Sequence, residues 1–348
     1  MKNIDKAMQV REGEEQDWAA LEAYLRTVLP ETTYGNMQVL QFHGGHANLT
    51  YLLRLGEKEL VIRRPPFGKI APGAHDMKRE FRVLSKLHQF FPQAPQAYHY
   101  CDDESIIGAP FVVLERKTGV VVRTHVLDCF KSYDNAAERL AEALVKVSAN
   151  LHKVDFEKAD LAKLGRPEGF LERQLAGLEK RWSLVKAGNS NDMDYVIEHL
   201  TAYIPTPQAI SIIHNDLKLD NCQFQPDNPD EVTAVFDWDM TTLGDPLVDL
   251  GTTLSYWREP YFDKHDLPVY LSTEFPTKQF VIDKYAEYTG FSMENINWYH
   301  AFAFLRIGVI AAQLYQRYVN GKSTDQRMKK FQNAADIFAG YARKLMTE

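Results

Sequence analysis

His214-Asn215-Asp216-Leu217-Lys218-Leu219-Asp220-Asn221 is the stretch around which this chain is organised. Its polar residues follow the pattern His-x-Asp-x4-Asn and run directly into a strand-like segment, Cys222 to Gln225. Phosphoryl transfer asks little covalent chemistry of a protein. It needs a carboxylate to orient an attacking hydroxyl, metal ions that bridge phosphates, and positive charge near the transferred group. Asp216 offers the carboxylate, Asn221 an amide oxygen suited to a hard cation such as Mg2+, and Lys218 a cation within reach of a moving phosphate. His214 reads as a residue that packs or hydrogen-bonds to hold the loop.

Downstream, Phe236-Asp237-Trp238-Asp239 closes the apolar run Val232 to Phe236. Aspartates at a strand end often only form a turn or cap a helix. Placed this soon after the first loop, Asp237 reads as the main Mg2+ ligand and Asp239 as a second one. Gly244-Asp245-Pro246 and Asp249-Leu250 follow, and Asp249 reads as a structural tie between this segment and the first loop.

Upstream, the texture divides in two. Asp17 to Leu29 carries Trp18, Leu21, Leu25 and Leu29 at helical spacing and stops at Pro30. Met37 to Phe42, Leu49 to Leu55 and Leu60 to Arg64 predict three strands, with Gly44-Gly45 and Gly56-Glu57 as turns and Pro65-Pro66 as a stop. A helix over His75 to Phe90 precedes strands at Ala97 to Cys101 and Phe111 to Leu114. Helices then dominate: Ala136 to His152, Phe170 to Leu184, Met193 to Ala202, Thr277 to Thr289, Asn295 to Asn320 and Asp325 to Met346. The expected division is a helical segment over 1–34, a β-rich lobe over 35–118 and a helical lobe over 119–348. Their joint near Glu115 to Val121 is the place to expect a ligand cleft.

The ordered set of His-x-Asp-x4-Asn, Asp-Trp-Asp and Gly-Asp-Pro behind a β-rich half resembles the aminoglycoside phosphotransferase and choline kinase family, over roughly residues 15 to 345. The resemblance implies an α+β, protein-kinase-like bilobal fold and a kinase using ATP and Mg2+ to phosphorylate a small-molecule hydroxyl. It implies Asp216 and Lys218 as catalytic residues and Asn221, Asp237 and Asp239 as metal ligands. It also implies a basic residue on the third strand, paired with Glu80 of the next helix. Here that residue is an arginine. Strand alternation sends Arg63 and Arg64 opposite ways, and Arg63 continues the face of Val61. The alternative leaves both arginines solvated at a sheet edge. Gly44-Gly45-His46-Ala47-Asn48 corresponds to the nucleotide-covering loop, with His46 and Asn48 near the nucleotide, and the backbone of Glu115 and Arg116 would meet adenine.

Within that family the Gly44 to Tyr51 turn, the basic pair before Pro65-Pro66 and the Arg79 to Leu84 run are similar to the kinase domain fused to acyl-CoA dehydrogenases. That similarity implies a hydroxyacyl-CoA as acceptor. The alternative is a nucleotide-binding pseudokinase or scaffold, favoured by the arginine and the thin glycine loop. Neither a Gly-x4-Gly-Lys-Ser/Thr loop nor an Asp-Phe-Gly is present, which argues against a P-loop NTPase and a protein kinase.

Composition narrows the field further. Forty Lys and Arg against 47 Asp and Glu give a net charge of −7, not the basic balance of a nucleic-acid binder. Three cysteines, Cys101, Cys129 and Cys222, lack metal-ligand spacing and read as reduced thiols. Met1 to Arg11 has no apolar core of a signal peptide, so a cytoplasmic location without membrane contact is expected. Arg306, in the apolar run Ala301 to Ile310, needs a partner: an internal carboxylate or an anionic substrate. Tyr256, Trp257, Tyr261 and Phe262 fit core packing or a pocket wall.

Overall fold

The structure is a computed structural model that describes residues 6–29, 35–44, 48–68, 76–186, 191–258, 271–323 and 325–347. His46, Tyr261 and Phe262 lie outside them.

The first lobe is built on one antiparallel sheet. Helix α1 (Trp18–Val28) leads, followed by strands β1 (Met37–Gln41), β2 (Leu49–Leu55) and β3 (Lys58–Arg64), helix α2 (Met77–Leu87), strand β4 (Ala97–Cys101), the short helix α3 (Glu104–Ile107) and strand β5 (Phe111–Glu115). The spatial order is β1-β2-β3-β5-β4, so β3 is central and its arginines are not at an edge. The two faces of β3 serve different cores. Leu60 and Ile62 pack with Leu21 and Leu25 of α1, while Val61 packs with Val83, Leu84 and Leu87 of α2. Helix α2 forms because Met77, Val83, Leu84 and Leu87 make an apolar stripe and Asp76 caps it, accepting a hydrogen bond from the Arg79 N–H (3.0 Å).

The second lobe follows with β6 (Val120–Val121), α4 (Ala136–His152), α5 (Phe170–Ser183), α6 (Asn191–Ala202), β7 (Ser211–Ile213), β8 (Cys222–Gln225), β9 (Asn228–Val235), β10 (Thr242–Gly244), α7 (Leu247–Ser255), α8 (Lys278–Thr289), α9 (Ile296–Val319) and α10 (Ala334–Thr347). Two small sheets, β6-β8-β9 and β7-β10, frame the functional loops. The α+β, protein-kinase-like architecture expected from sequence is the one found.

The expected helix over Asp325 to Met346 is broken. A 3-10 turn, Gln326–Phe331, precedes α10. Arg327, Lys329, Lys330, Gln332 and Asn333 leave no apolar stripe with which an α-helix could bury this stretch. Helix α7 is not predicted by periodicity because all nine of its residues are buried, so no polar face marks it. It meets α9 at Gly251, where a Cβ would stand 2.4 Å from the Tyr299 carbonyl oxygen. Among the described residues no helix is long and apolar enough to cross a membrane.

Candidate active site

The loop 214–221 leaves β7 and is pinned from beneath by one carboxylate. Asp249, on α7 and fully buried, accepts hydrogen bonds from the backbone N–H of His214 and of Asn215, both at 2.6 Å. His152 of α4 approaches the same carboxylate (3.1 Å) and is itself held by the Tyr285 hydroxyl (2.6 Å). Burial pushes the Asp249 pKa up, but His152, His214 and the two N–H donors outweigh it and hold the carboxyl below its usual range. Asn215 takes a left-handed backbone conformation (φ 69°), which Asn tolerates better than most residues.

His214 closes the link to the second motif. Its Nδ1 accepts from the Asp216 N–H (3.3 Å), which leaves Nε2 to donate to the Phe236 carbonyl (2.8 Å). The Phe236 N–H in turn donates to the Asn221 carbonyl (2.8 Å). One residue of the strand end thus holds both ends of the loop. Beyond it Asp237 also takes a left-handed conformation (φ 71°), turning the chain out of β9.

Asp216 is oriented from two sides. The Asn221 side-chain amide donates to its Oδ2 (3.0 Å) and to its carbonyl (2.7 Å), and Tyr256 donates to Oδ1 (2.8 Å). Lys218 lies 3.3 Å from Oδ2, 3.8 Å from Asp220 and 4.5 Å from the Tyr256 ring centre. Burial works against the Lys218 charge, yet Asp216 and Asp220 raise its pKa on balance. The Asn221 Oδ1 carries no hydrogen bond among the described residues.

The other lobe contributes Arg63. Its guanidinium pairs with Glu80 of α2 (2.5 Å) and with Asp237 (2.6 Å). Burial opposes that charge, but the two carboxylates prevail and raise the Arg63 pKa. Asp237 remains below its usual range because the pull of Arg63 exceeds the effect of burial. Asp239, half-buried and facing the charge of Asp237, is pushed up to about 6. Arg64 points away from the cleft: it is buried and bonds the carbonyls of Pro65 and Ile107.

Two cavities flank the loop. The first, about 280 Å³, opens between the lobes and is lined by Asn48, Val61, Leu114 and the chain from Glu115 to Lys117, with Arg63, Asn221 and Asp237 at one end. Glu115 gives its N–H to the Gln96 carbonyl (2.8 Å), and its carboxylate pairs with Lys117 (3.0 Å). Arg116 stacks over Phe42 (4.7 Å). The second cavity, about 300 Å³, lies on the far side of the loop between α7 and α9; Lys218, Asp220, Tyr256 and Trp257 line it. Asp239 does not line either cavity.

Among the described residues Arg306 pairs with no carboxylate, and it lines neither of these two cavities. It donates to the backbone carbonyl and the side-chain oxygen of Asn215, the latter at 3.2 Å, and so braces the strained loop residue. Tyr256 was not separable in sequence from a core aromatic, because nothing local marks its reach to Asp216.

Among the described residues no cluster of three or more His, Cys, Asp or Glu is suited to a metal ion. What is present is one carboxylate with a free oxygen, on Asp237, and the Asn221 amide oxygen, facing one cleft. That set suits Mg2+, which characteristically takes one or two protein ligands and completes its shell with water and substrate phosphates.

Residues 38–270, well over half the chain, match the model of the phosphotransferase enzyme family. The chain belongs to that family. This phosphotransferase is 30% identical over 335 residues to acyl-CoA dehydrogenase family member 10 of Mus musculus, covering 93% of the chain but only 31% of the relative. The chain therefore spans about a third of the length of that relative. A protein of Ralstonia eutropha, provisionally named an aminoglycoside phosphotransferase, superposes with a TM-score of 0.77 at 29% identity, covering 95% of this chain and 99% of the other. The phosphotransferase APH(4)-Ia, solved in complex with AMP-PNP and hygromycin B, matches with a TM-score of 0.60 at 15% identity over 94% of this chain and 98% of its own. At that identity it speaks for the fold alone.

Proposed function

We propose that this phosphotransferase is an ATP- and Mg2+-dependent kinase that transfers the γ-phosphate to the hydroxyl of a small molecule. The observation that supports this most directly is the position of loop 214–221 between two cavities. Asn221 faces the cleft between the lobes, Lys218 faces the second cavity, and Asp216 is held between them.

In this reading 35–118 supplies most of the nucleotide cleft and 119–348 the chemistry and the acceptor pocket. Adenine lies between Val61 and Leu114 against the Glu115–Lys117 backbone. The N–H of Glu115 is engaged, so the backbone beyond it reads the base. Arg63 binds the phosphates from Glu80, and it lets Asp237 go as phosphate arrives. Asn221 and Asp237 would hold Mg2+, which would supply positive charge against that of the phosphates. Asp216 accepts the proton of the attacking hydroxyl or orients it, and Tyr256 and Asn221 fix the direction of its lone pairs. Lys218 stands beside the same carboxylate, placed to meet charge as it builds on the transferred group. The similarity to the acyl-CoA dehydrogenase relative makes hydroxyacyl-CoA compounds the first acceptors to try.

The test is ADP release across a panel of hydroxyl compounds: hydroxyacyl-CoAs, aminoglycosides, choline and sugars. Turnover with one class, lost in Asp216→Ala while ATP binding persists, is the expected result. Mg2+-dependent ATP binding with no turnover across the panel would instead favour a nucleotide-binding scaffold.

A further inference from the structure

The second cavity is lined mainly by apolar side chains, with three charged residues among them. Trp257 and Leu271 on one side and Ile307, Ile310, Leu314 and Phe338 on the other form the walls. The charged residues are Arg123 and Asp220, both exposed and so at the solvent side, and Lys218, which lies deeper. Lys218 is committed to Asp216, Asp220 and the Tyr256 ring. Arg123 is held less tightly: it makes no hydrogen bond or close ion pair among the described residues, and only the Asp220 carboxylate lies within its electrostatic reach. Arg123 and Asp220 line both cavities. The guanidinium also reaches the loop between β1 and β2, since a Cβ on Gly44 would lie 3.1 Å from Arg123 Nη2.

We propose that Arg123 determines acceptor specificity by binding an anionic group, a carboxylate or a phosphate, on an acceptor whose apolar body lies against α7 and α9. This rests on the kinase reading above. Apolar walls bind apolar ligands, and a few placed polar groups set their orientation. A guanidinium pairs with carboxylate or phosphate through two parallel hydrogen bonds, so it fixes direction as well as charge. Such an anchor at the mouth directs a hydroxyl elsewhere on the acceptor past Lys218 to Asp216. The nucleotide phosphates have their own cation in Arg63, which lines the first cavity and not the second.

The experiment compares three forms of hydroxydecanoic acid as acceptors, with the hydroxyl at several positions: the free acid, its coenzyme A thioester and its neutral methyl ester. ADP release is followed for the full chain, for Arg123→Glu and for Arg123→Gln, the milder variant in case charge reversal disturbs folding. A hydrogen bond to a charged group is worth about 1.5–3 kcal/mol, or roughly ten- to a hundredfold in KM. Arg123→Glu is expected to raise KM for an anionic form by at least about tenfold and for the ester by less than about twofold, with Arg123→Gln between. Whether the acid or the thioester is affected identifies carboxylate or phosphate as the group read. Equal rises for ester and anion, or a rise confined to the KM for ATP, would overturn the assignment. Transfer only to some other class of hydroxyl compound would overturn the acceptor assignment and leave the kinase reading standing. ADP release with none would overturn both.

Discussion

The hydroxyl of Tyr256, at the end of α7, donates a 2.8 Å hydrogen bond to Oδ1 of Asp216. Its ring meanwhile carries Lys218 on one face. A wall of the second cavity is therefore bonded directly to the carboxylate proposed to receive the proton. Tyr256→Phe keeps the ring and removes only the donor. We expect kcat to fall about tenfold, equivalent to about 1.4 kcal/mol in the barrier, with a smaller change in the KM for ATP. Steady-state kinetics with saturating acceptor checks this. A change confined to the KM for ATP would show that Tyr256 serves the nucleotide instead.

Arg63 and Glu80 form a buried pair whose side chains are 13% and 1% exposed. Removing one partner leaves the other charge stranded, at about 3–5 kcal/mol, whereas replacing both by apolar residues is often neutral. Arg63→Met should therefore lower the denaturation midpoint clearly. The double variant Arg63→Met with Glu80→Leu should recover most of that loss and still show no ATP turnover. Chemical denaturation and ADP release on the same preparations separate the two effects. Recovery of activity in the double variant would remove Arg63 from the phosphate site.

Asp249→Asn tests the loop anchor. An amide can accept from only one of the two N–H groups and turns its own donors towards the other. The loss should reach about 3 kcal/mol or more, because two hydrogen bonds to a buried charge are disturbed. The folded-state pKa of Asp249 is held below its ordinary value. Its contribution is thus fully present above the unfolded value near 3.9 and is lost as pH falls through the lower folded value. Wild type should lose stability on acidification below about pH 4 more steeply than Asp249→Asn. Thermal melts from pH 7 to pH 3 read this out, and parallel acid limbs would contradict the assignment.

Gly251 faces backbone rather than a flexible side chain. A Cβ there would lie 2.4 Å from the carbonyl oxygen of Tyr299 and 2.6 Å from its carbon. Gly251→Ala should push α7 away from α9 at a cost of about 1–3 kcal/mol. Because α7 carries Asp249 and leads to Tyr256, kcat should fall with the stability. Alanine at Gly340, inside α10 where a Cβ meets nothing within 4 Å, is the matched control: kcat should be unchanged and stability should not fall, rising by up to about 1 kcal/mol.

The parts of this site that could be read in the sequence are those with short, fixed spacing. Asp216 and Asn221 are bonded across five residues, and Phe236 and Asp237 follow on the next strand end. Arg63 could be separated from Arg64 because side chains alternate on β3, and the structure turns the two opposite ways. The illegible parts are the long-range contacts. Tyr256 reaches Asp216 over 40 positions and Arg306 reaches Asn215 over 91; Asp249 was expected to tie its segment to the loop and does so, but the two backbone N–H groups it bonds leave no trace in residue type. The second cavity exists only through the packing of α7, α9, α10 and the turn before it, which no local pattern specifies.

The crossing at Gly251 also bears on how this scaffold can change. Helix α7 is at once the floor under the loop, through Asp249, and the approach to the pocket wall, through Tyr256. It is pressed backbone to backbone on α9, so moving it to admit a different ligand would shift Asp216 as well. The side chains at Ile307, Ile310 and Leu314 carry no such double duty. New acceptors should therefore be reached by exchanging those three residues on an unmoved backbone, which makes them the positions to randomise when redirecting the enzyme.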